Sequence, residues 1–226
     1  MTVYPEPPSA EIKAFTPALG VRALTPLYDS AIALLTRENV WRSALIEAIA
    51  LQKGERLLDV GCGTGSLSVR LAAAKRAAVV HGIDPDGQVL QRARAKAAKA
   101  GAEIEFHEGF LTGEFLDGKK PFDVVTSSLV FHQVPVAGKR DLLSMMRRAL
   151  KPAGRLVIAD YGLQRTALMR RLFRATVQTL DGVDDTQPNA DGLLPELIKD
   201  AGFAGVREAR AIPTATGSIS ILTAHC

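Results

Sequence analysis

The run Leu57-Leu58-Asp59-Val60-Gly61-Cys62-Gly63-Thr64-Gly65 constrains this chain more than any other segment. The short stretch Arg56–Val60, with Leu57, Leu58 and Val60, reads as a strand, and helical spacing begins again after Gly65. Between them, glycine recurs at every second position. Glycine lets a backbone bend sharply and approach a ligand closely. The helix that follows offers unpaired backbone N–H groups at its start. Strand, glycine turn and helix together make a cradle for a nucleotide-like ligand. The main alternative is the dinucleotide fingerprint G-x-G-x-x-G. Here the third glycine comes one residue too early for it, because Ser66 stands in the expected place.

The texture around this segment fits an α/β domain. From about Ala23 to Ala50 apolar residues recur at helical spacing, and Asp29-Ser30 or Thr36 stand where caps belong. Two helices are therefore expected before any strand. Further strands are expected at Ala78–Ile83, Glu103–His107, Phe122–Ser127 and Gly154–Ala159, with helices Gly65–Ala74, Asp86–Ala100 and Val136–Leu150 between them. Lys151–Gly154 reads as a tight turn. Leu163–Leu180 reads as one amphipathic helix carrying Arg165, Arg170, Arg171 and Arg174, with Leu168, Leu172, Phe173, Val177 and Leu180 as its buried stripe. The Asp, Gly and Pro of 181–191 read as a loop, and Gly192–Ala201 as a helix. The last two strands, Val206–Ile212 and Ser218–Ala224, are joined too briefly for a parallel crossover, so they form an antiparallel pair.

The 226 residues suit a single structural unit, and 47% hydrophobic residues supply a sizeable core with only 5% aromatics. Residues 1–52 are expected to form a tail and helical cap, and 53–226 the main domain, with 162–191 as a lid-like insertion. The net charge of +4 comes from scattered Lys and Arg without interleaved aromatics, which does not suggest nucleic acid. Two cysteines, Cys62 and Cys226, form neither a metal-ligand pattern nor a disulfide framework, so no metal is expected. The start resembles no signal peptide, and no stretch approaches a membrane span. A cytoplasmic chain without stable membrane insertion, monomeric or homodimeric, is expected.

The second marker is His81-Gly82-Ile83-Asp84-Pro85. A carboxylate at the end of the second strand is positioned to accept hydrogen bonds from the two hydroxyls of a ribose, nineteen residues after Gly65. The alternative for Asp84 or Asp86 is a helix N-cap, and Asp86 fits that role better.

Taken with Phe122-Asp123-Val124-Val125-Thr126-Ser127-Ser128-Leu129-Val130-Phe131-His132 and Leu150-Lys151-Pro152-Ala153-Gly154-Arg155-Leu156-Val157-Ile158, these segments resemble four successive motifs of the class I S-adenosylmethionine-dependent methyltransferases. The subgroup most resembled methylates small molecules such as quinone precursors, lipid headgroups and natural products. The resemblance implies a Rossmann-like three-layer α/β sandwich. Its seven-stranded, mostly parallel sheet would have the order 3-2-1-4-5-7-6 with strand 7 antiparallel, beneath an N-terminal helical cap. It implies S-adenosyl-L-methionine as cofactor and a small-molecule methyl acceptor as partner. Asp59, Gly61, Gly63 and Gly65, with Thr64, would line the methionine and ribose end, Asp84 would take the ribose hydroxyls and Pro85 would flank the adenine. Ser128 would approach the methionine. Where the subgroup carries Gly-Asp or Asn after the third strand, this chain has Gly109-Phe110-Leu111. Phe110 offers the adenine a surface but no acceptor, and the Leu111 N–H remains a possible contact.

Methyl transfer from a sulfonium is an in-line displacement for which the protein supplies orientation and, for some acceptors, a base. His132, just past the fourth strand, is the candidate base, with packing against the cofactor loop as its other reading. Tyr28 resembles a tyrosine that folds over the cofactor, and is otherwise a core aromatic. Tyr161 follows the fifth strand and has a hydroxyl to offer. Trp41, His81, His107 and His225 read as structural. The basic helix is either a lid or a surface for an anionic acceptor. Methylation at oxygen or carbon of a ring compound leads. N-methylation of an amine or phospholipid headgroup, a non-catalytic cofactor binder and a nicotinamide-dependent oxidoreductase are the alternatives. Arsenite-type methylation is disfavoured by the scarcity of cysteine.

Overall fold

The computed structural model describes residues 36–75 and 78–226. Tyr28, Asp29-Ser30 and the first expected helix lie outside the described residues. The described chain runs α1 (Glu38–Ile49), β1 (Arg56–Val60), α2 (Ser66–Ala74), β2 (Val79–Asp84), α3 (Gly87–Ala100), β3 (Ile104–Glu108), α4 (Gly113–Leu116) and β4 (Phe122–Ser128). A 3-10 turn (Phe131–Gln133) then leads into α5 (Val136–Ala149), β5 (Leu150–Tyr161), α6 (Ala167–Ala175), α7 (Val177–Asp181), α8 (Val183–Ala190), α9 (Leu194–Asp200), β6 (Ala204–Thr214) and β7 (Gly217–His225).

One sheet holds the seven described strands in the order β3-β2-β1-β4-β5-β7-β6. β1 pairs in parallel with both β2 and β4, whereas β7 runs antiparallel between β5 and β6. The alternation of side chains along each strand sorts the core into two halves. Leu57, Val124, Val157 and Ile221 point to the face covered by α1, α2 and α6, where Trp41, Leu45, Leu67, Leu71 and Phe173 are buried. Their neighbours Leu58, Val125, Leu156 and Leu222 point to the other face, against Leu143 and Met146 of α5 and Leu197 of α9. This is the three-layer arrangement the sequence implies, and Trp41 is the core residue expected of it.

The chain leaves β1 towards β2 and β3, then returns to place β4 on the other side of β1. A crevice therefore opens at the carboxyl ends of β1 and β4, where ligands of such sheets bind. The register aligns Val60 with Ser127, so the glycine loop and the segment after β4 emerge side by side.

Four expectations need correction. Lys151–Gly154 is drawn into β5 rather than forming a separate turn. Leu150 lies opposite Phe122 and Arg155 opposite Val124, so the surplus residues bulge out of the ladder. A bulge tolerates Pro152, which has no N–H to donate. The arginine-bearing helix is broken at Thr176, whose hydroxyl bonds back to the Leu172 carbonyl at 2.7 Å. Of its apolar stripe, Phe173 and Val177 are buried but Leu168 and Leu180 are 62% and 68% exposed. Residues 183–190 form α8 rather than loop, with Pro188 inside it. Tertiary bonds hold it there: Asn189 Nδ2 donates to the Tyr161 carbonyl, and Lys139 Nζ, from α5, to the Asp185 carbonyl. Finally, the residue that caps α1 is Arg37, in the left-handed region and without a side-chain cap bond, rather than Thr36.

Candidate active site

The glycine loop is suspended from β2. The Gly61 and Cys62 N–H groups both donate to the Ile83 carbonyl, at 2.9 and 3.1 Å. Gly61 has φ +68°, and a Cβ there would lie 2.4 Å from Val130 Cγ2. Leu129, also left-handed at φ 56°, turns the chain after β4 so that Val130 lies against this glycine. Gly63 has φ +52°, and nothing described lies within 4 Å of where its Cβ would be. One glycine therefore admits a neighbouring loop, while the next presents bare backbone.

Asp84 ends β2 and is nearly buried. Its Oδ2 accepts the Gly63 N–H at 2.8 Å and its Oδ1 the Asp86 N–H at 3.0 Å. The carboxylate thus fixes the middle of the glycine loop, and each oxygen keeps a lone pair. The cap of α3 is Asp86, which accepts from Gln88 N and Val89 N. That division of labour frees Asp84 from a capping role.

Asp59 is fully buried on β1. Its Oδ2 accepts from Ser68 Oγ at 2.6 Å, and its Oδ1 has no partner among the described residues. Burial pushes its carboxyl up to about 6, against the Ser68 hydrogen bond that lowers it. A carboxylate with a raised pKa binds its proton more tightly folded than unfolded, so stability falls as pH rises from about 4 to about 6. Asp59→Asn should abolish that contribution, at most about 3 kcal/mol by the span between the ordinary value and 6. Urea unfolding of both proteins at pH 4.5 and 6.5 measures it, and an unchanged pH slope in the variant would count against the assignment.

Thr64 accepts a hydrogen bond from Lys96 Nζ at 3.0 Å, and the same ammonium reaches Ser66 Oγ at 2.6 Å. A Cβ on Gly65 would press on Ala93 and the Phe106 ring, so this glycine closes the loop against α3 and β3. After β3, Gly109 N–H donates to the Asp84 carbonyl, bringing Gly109-Phe110-Leu111 beside Pro85. Phe110 is 53% exposed and Leu111 is buried. Ser128 is half-buried at the end of β4.

His132 sits in the 3-10 turn after β4 and is buried. Its Nδ1 lies 2.8 Å from Asp160 Oδ1, and its Nε2 lies 3.5 Å from Asp181 Oδ2 of α7. Asp160 also accepts the N–H of Phe131 at 2.7 Å and of Tyr161 at 2.8 Å. Burial works against the charged imidazole, but the Asp160 and Asp181 carboxylates outweigh it and raise His132 to about 9. The two carboxylates thus favour the imidazolium form of this ring at neutral pH. Tyr161 is buried against the His132 ring, with its hydroxyl 2.8 Å from Thr216 Oγ1 in the β6–β7 turn. Burial pushes that hydroxyl up to about 12. Asp160 and Asp181 were absent from the sequence candidates. Only the spatial meeting of β5, α7 and the turn after β4 identifies them.

Residues 57–154 match a family model described as a methyltransferase domain. A demethylmenaquinone methyltransferase of Thermus thermophilus is 31% identical over 206 residues, covering 86% of this chain and 89% of that protein. A methyltransferase of Synechocystis described as uncharacterized is 30% identical over 168 residues, covering 72% of this chain and 73% of its own. In fold, an O-methyltransferase family protein from Burkholderia thailandensis superposes with a TM-score of 0.69 at 19% identity. That alignment covers 86% of this chain, which spans only 57% of the larger structure. The sheet order, the glycine loop and these relatives define the class: the chain belongs to the class I S-adenosylmethionine-dependent methyltransferases.

Its cofactor is S-adenosylmethionine, and the loop suits such a ligand. The bare backbone at Gly63, the lone pairs of Asp84 beside it and the unpaired Asp59 Oδ1 are what a polar nucleoside with an amino-acid tail would use. The carboxylate of Asp84 suits an unphosphorylated ribose diol.

Proposed function

We propose that the chain methylates a small-molecule ring compound at oxygen or carbon. The observation that carries this reading is the state of two carboxylates, Asp160 near the end of β5 and Asp181 at the end of α7. Asp160 and Asp181 face His132 and are engaged by it. An amine acceptor would need an acidic group free to meet its charge. Here the buried groups nearby are Tyr161, Phe173 and Val177, a wall better matched to a neutral ring. The relatives lend support: besides the menaquinone enzymes, a 27-O-demethylrifamycin SV methyltransferase of Amycolatopsis mediterranei is 29% identical over 164 residues.

In this reading Gly61, Gly63, Thr64 and Gly65 hold the donor's amino-acid end together with Asp59 and Ser128. Asp84 binds its ribose, and Pro85, Phe110 and Leu111 enclose its adenine. Once bound, the donor supplies a methyl group on a sulfonium, open to in-line attack. Residues 162–191 serve as a lid. His132 is a positioning residue that joins Asp160 of β5 to Asp181 of that lid. Tyr161 contributes an apolar face to the acceptor, and Tyr28 remains the candidate to close over the cofactor. Two of the lid arginines bond within the protein, Arg165 to Glu208 and Arg170 to the Gln164 carbonyl, which favours a lid over an anion-binding surface. No helix among the described residues is long and apolar enough to cross a membrane.

The test is transfer of labelled methyl from S-adenosylmethionine to phenols, quinols, aliphatic amines and phospholipid headgroups. Label is expected in O- or C-methylated ring products. Label confined to amines or headgroups would overturn the reading.

A further inference from the structure

On the face of the sheet away from Asp84, the pairing of β2 with β3 sets His81 opposite Glu105, with His107 two residues further along β3. The three side chains converge. His81 Nδ1 lies 3.4 Å from His107 Nε2 and 3.3 Å from Glu105 Oε2, and His107 Nε2 lies 3.8 Å from that same oxygen. We propose that His81, Glu105 and His107 form a zinc-binding site that fastens the edge strand β3 to β2.

The size of the triangle supports a tetrahedral ion. Ligands about 2.05 Å from zinc at tetrahedral angles stand about 3.3 Å apart, and the three separations approach that edge. Two imidazole nitrogens and one carboxylate oxygen are ligand types zinc takes, with a fourth position left for water. Proton counting supports it further. Each close contact in a metal-free cluster needs one N–H, and the carboxylate brings none. If both imidazoles point N–H inwards, those two groups oppose each other. If only one does, the other ring's lone pair opposes the carboxylate. A single inward N–H on His81 would have to fork between Glu105 and the His107 ring, leaving that ring's lone pair facing the carboxylate at 3.8 Å, whereas a central cation satisfies all three groups.

The site is also accessible. The His81 side chain is only 4% exposed and forms the floor, while Glu105 is 65% exposed and opens to solvent. Phe122 and Phe115 pack edge-on against the two imidazoles and hold them in place. Arg56 and Lys119 lie near enough to oppose a cation, so binding on the order of micromolar is expected rather than much tighter. The sequence suggested no metal because the ligands come from two strands, 24 residues apart at the nearest, outside any local spacing motif.

The test is calorimetric titration of chelator-stripped protein with Zn2+. One saturable equivalent per chain is expected, weakened at least tenfold in His107→Ala and several-fold in Glu105→Gln. The carboxylate of Glu105 is exposed, so that second variant keeps the fold and the test stands if His107→Ala does not. Cys226→Ser, which removes a partly exposed thiol outside the cluster, should bind as the native chain does. Absence of saturable binding, binding unchanged in both site variants, or binding lost in Cys226→Ser would overturn the proposal.

Discussion

Asp160→Ala is expected to destabilise the protein by about 3–5 kcal/mol, lowering its melting midpoint by roughly 10 °C. The carboxylate is 1% exposed and serves three donors at once: the N–H groups of Phe131 and Tyr161 and the His132 ring. Alanine leaves all three buried without their acceptor, and leaves a charged imidazole facing Asp181 alone. Asp160→Asn keeps an acceptor but not the charge, and should fall between. The pH dependence gives a second reading. His132 is raised when folded, so the stability it contributes is complete below its unfolded value near 6.5 and disappears as pH rises through about 9. The native chain should therefore lose stability, at most about 3 kcal/mol, between pH 7 and pH 9.5. Asp160→Ala should show little of that loss. Urea unfolding at the two pH values decides it, and a variant within about 1 kcal/mol of the native chain would contradict the buried pair.

Asp84→Ala should weaken S-adenosylmethionine binding by about 100-fold. Two hydrogen bonds from ribose hydroxyls to a carboxylate contribute about 1.5 kcal/mol each at the low end, and their sum of about 3 kcal/mol corresponds to roughly that ratio. The variant also loses the acceptor for the Gly63 N–H, so the loop itself is less organised. The fold should survive, because Asp86 independently caps α3. Calorimetry on a variant of native circular dichroism separates loss of the site from loss of structure. Affinity within threefold of the native chain would refute the ribose assignment.

The framework was legible because it depends on local pattern. Arg56–Val60 carries Leu57, Leu58 and Val60 up to the first glycine, and β1 occupies those residues. Asp86 and Gly101 punctuate α3, and both act there, one as side-chain cap and the other in the left-handed conformation that ends the helix. The misread parts depend on distant partners. The composition of 183–190 speaks for a loop, and tertiary bonds such as those from Asn189 to Tyr161 and from Lys139 to Asp185 stabilise a helix containing proline. His132 carried the same lesson at the site. Its sequence position gave its place at the sheet edge, but its charge state follows from Asp160 and Asp181, 28 and 49 residues further on. The cofactor loop, by contrast, has its partners nearby in pattern, with β2 returning Asp84 to Gly63.

Calorimetric titration of the native chain with S-adenosylmethionine, S-adenosylhomocysteine and NADH tests the central claim most directly. Saturable one-to-one binding of the two adenosyl sulfur compounds, with none detectable for NADH, is the predicted result. Binding of NADH alone would contradict it.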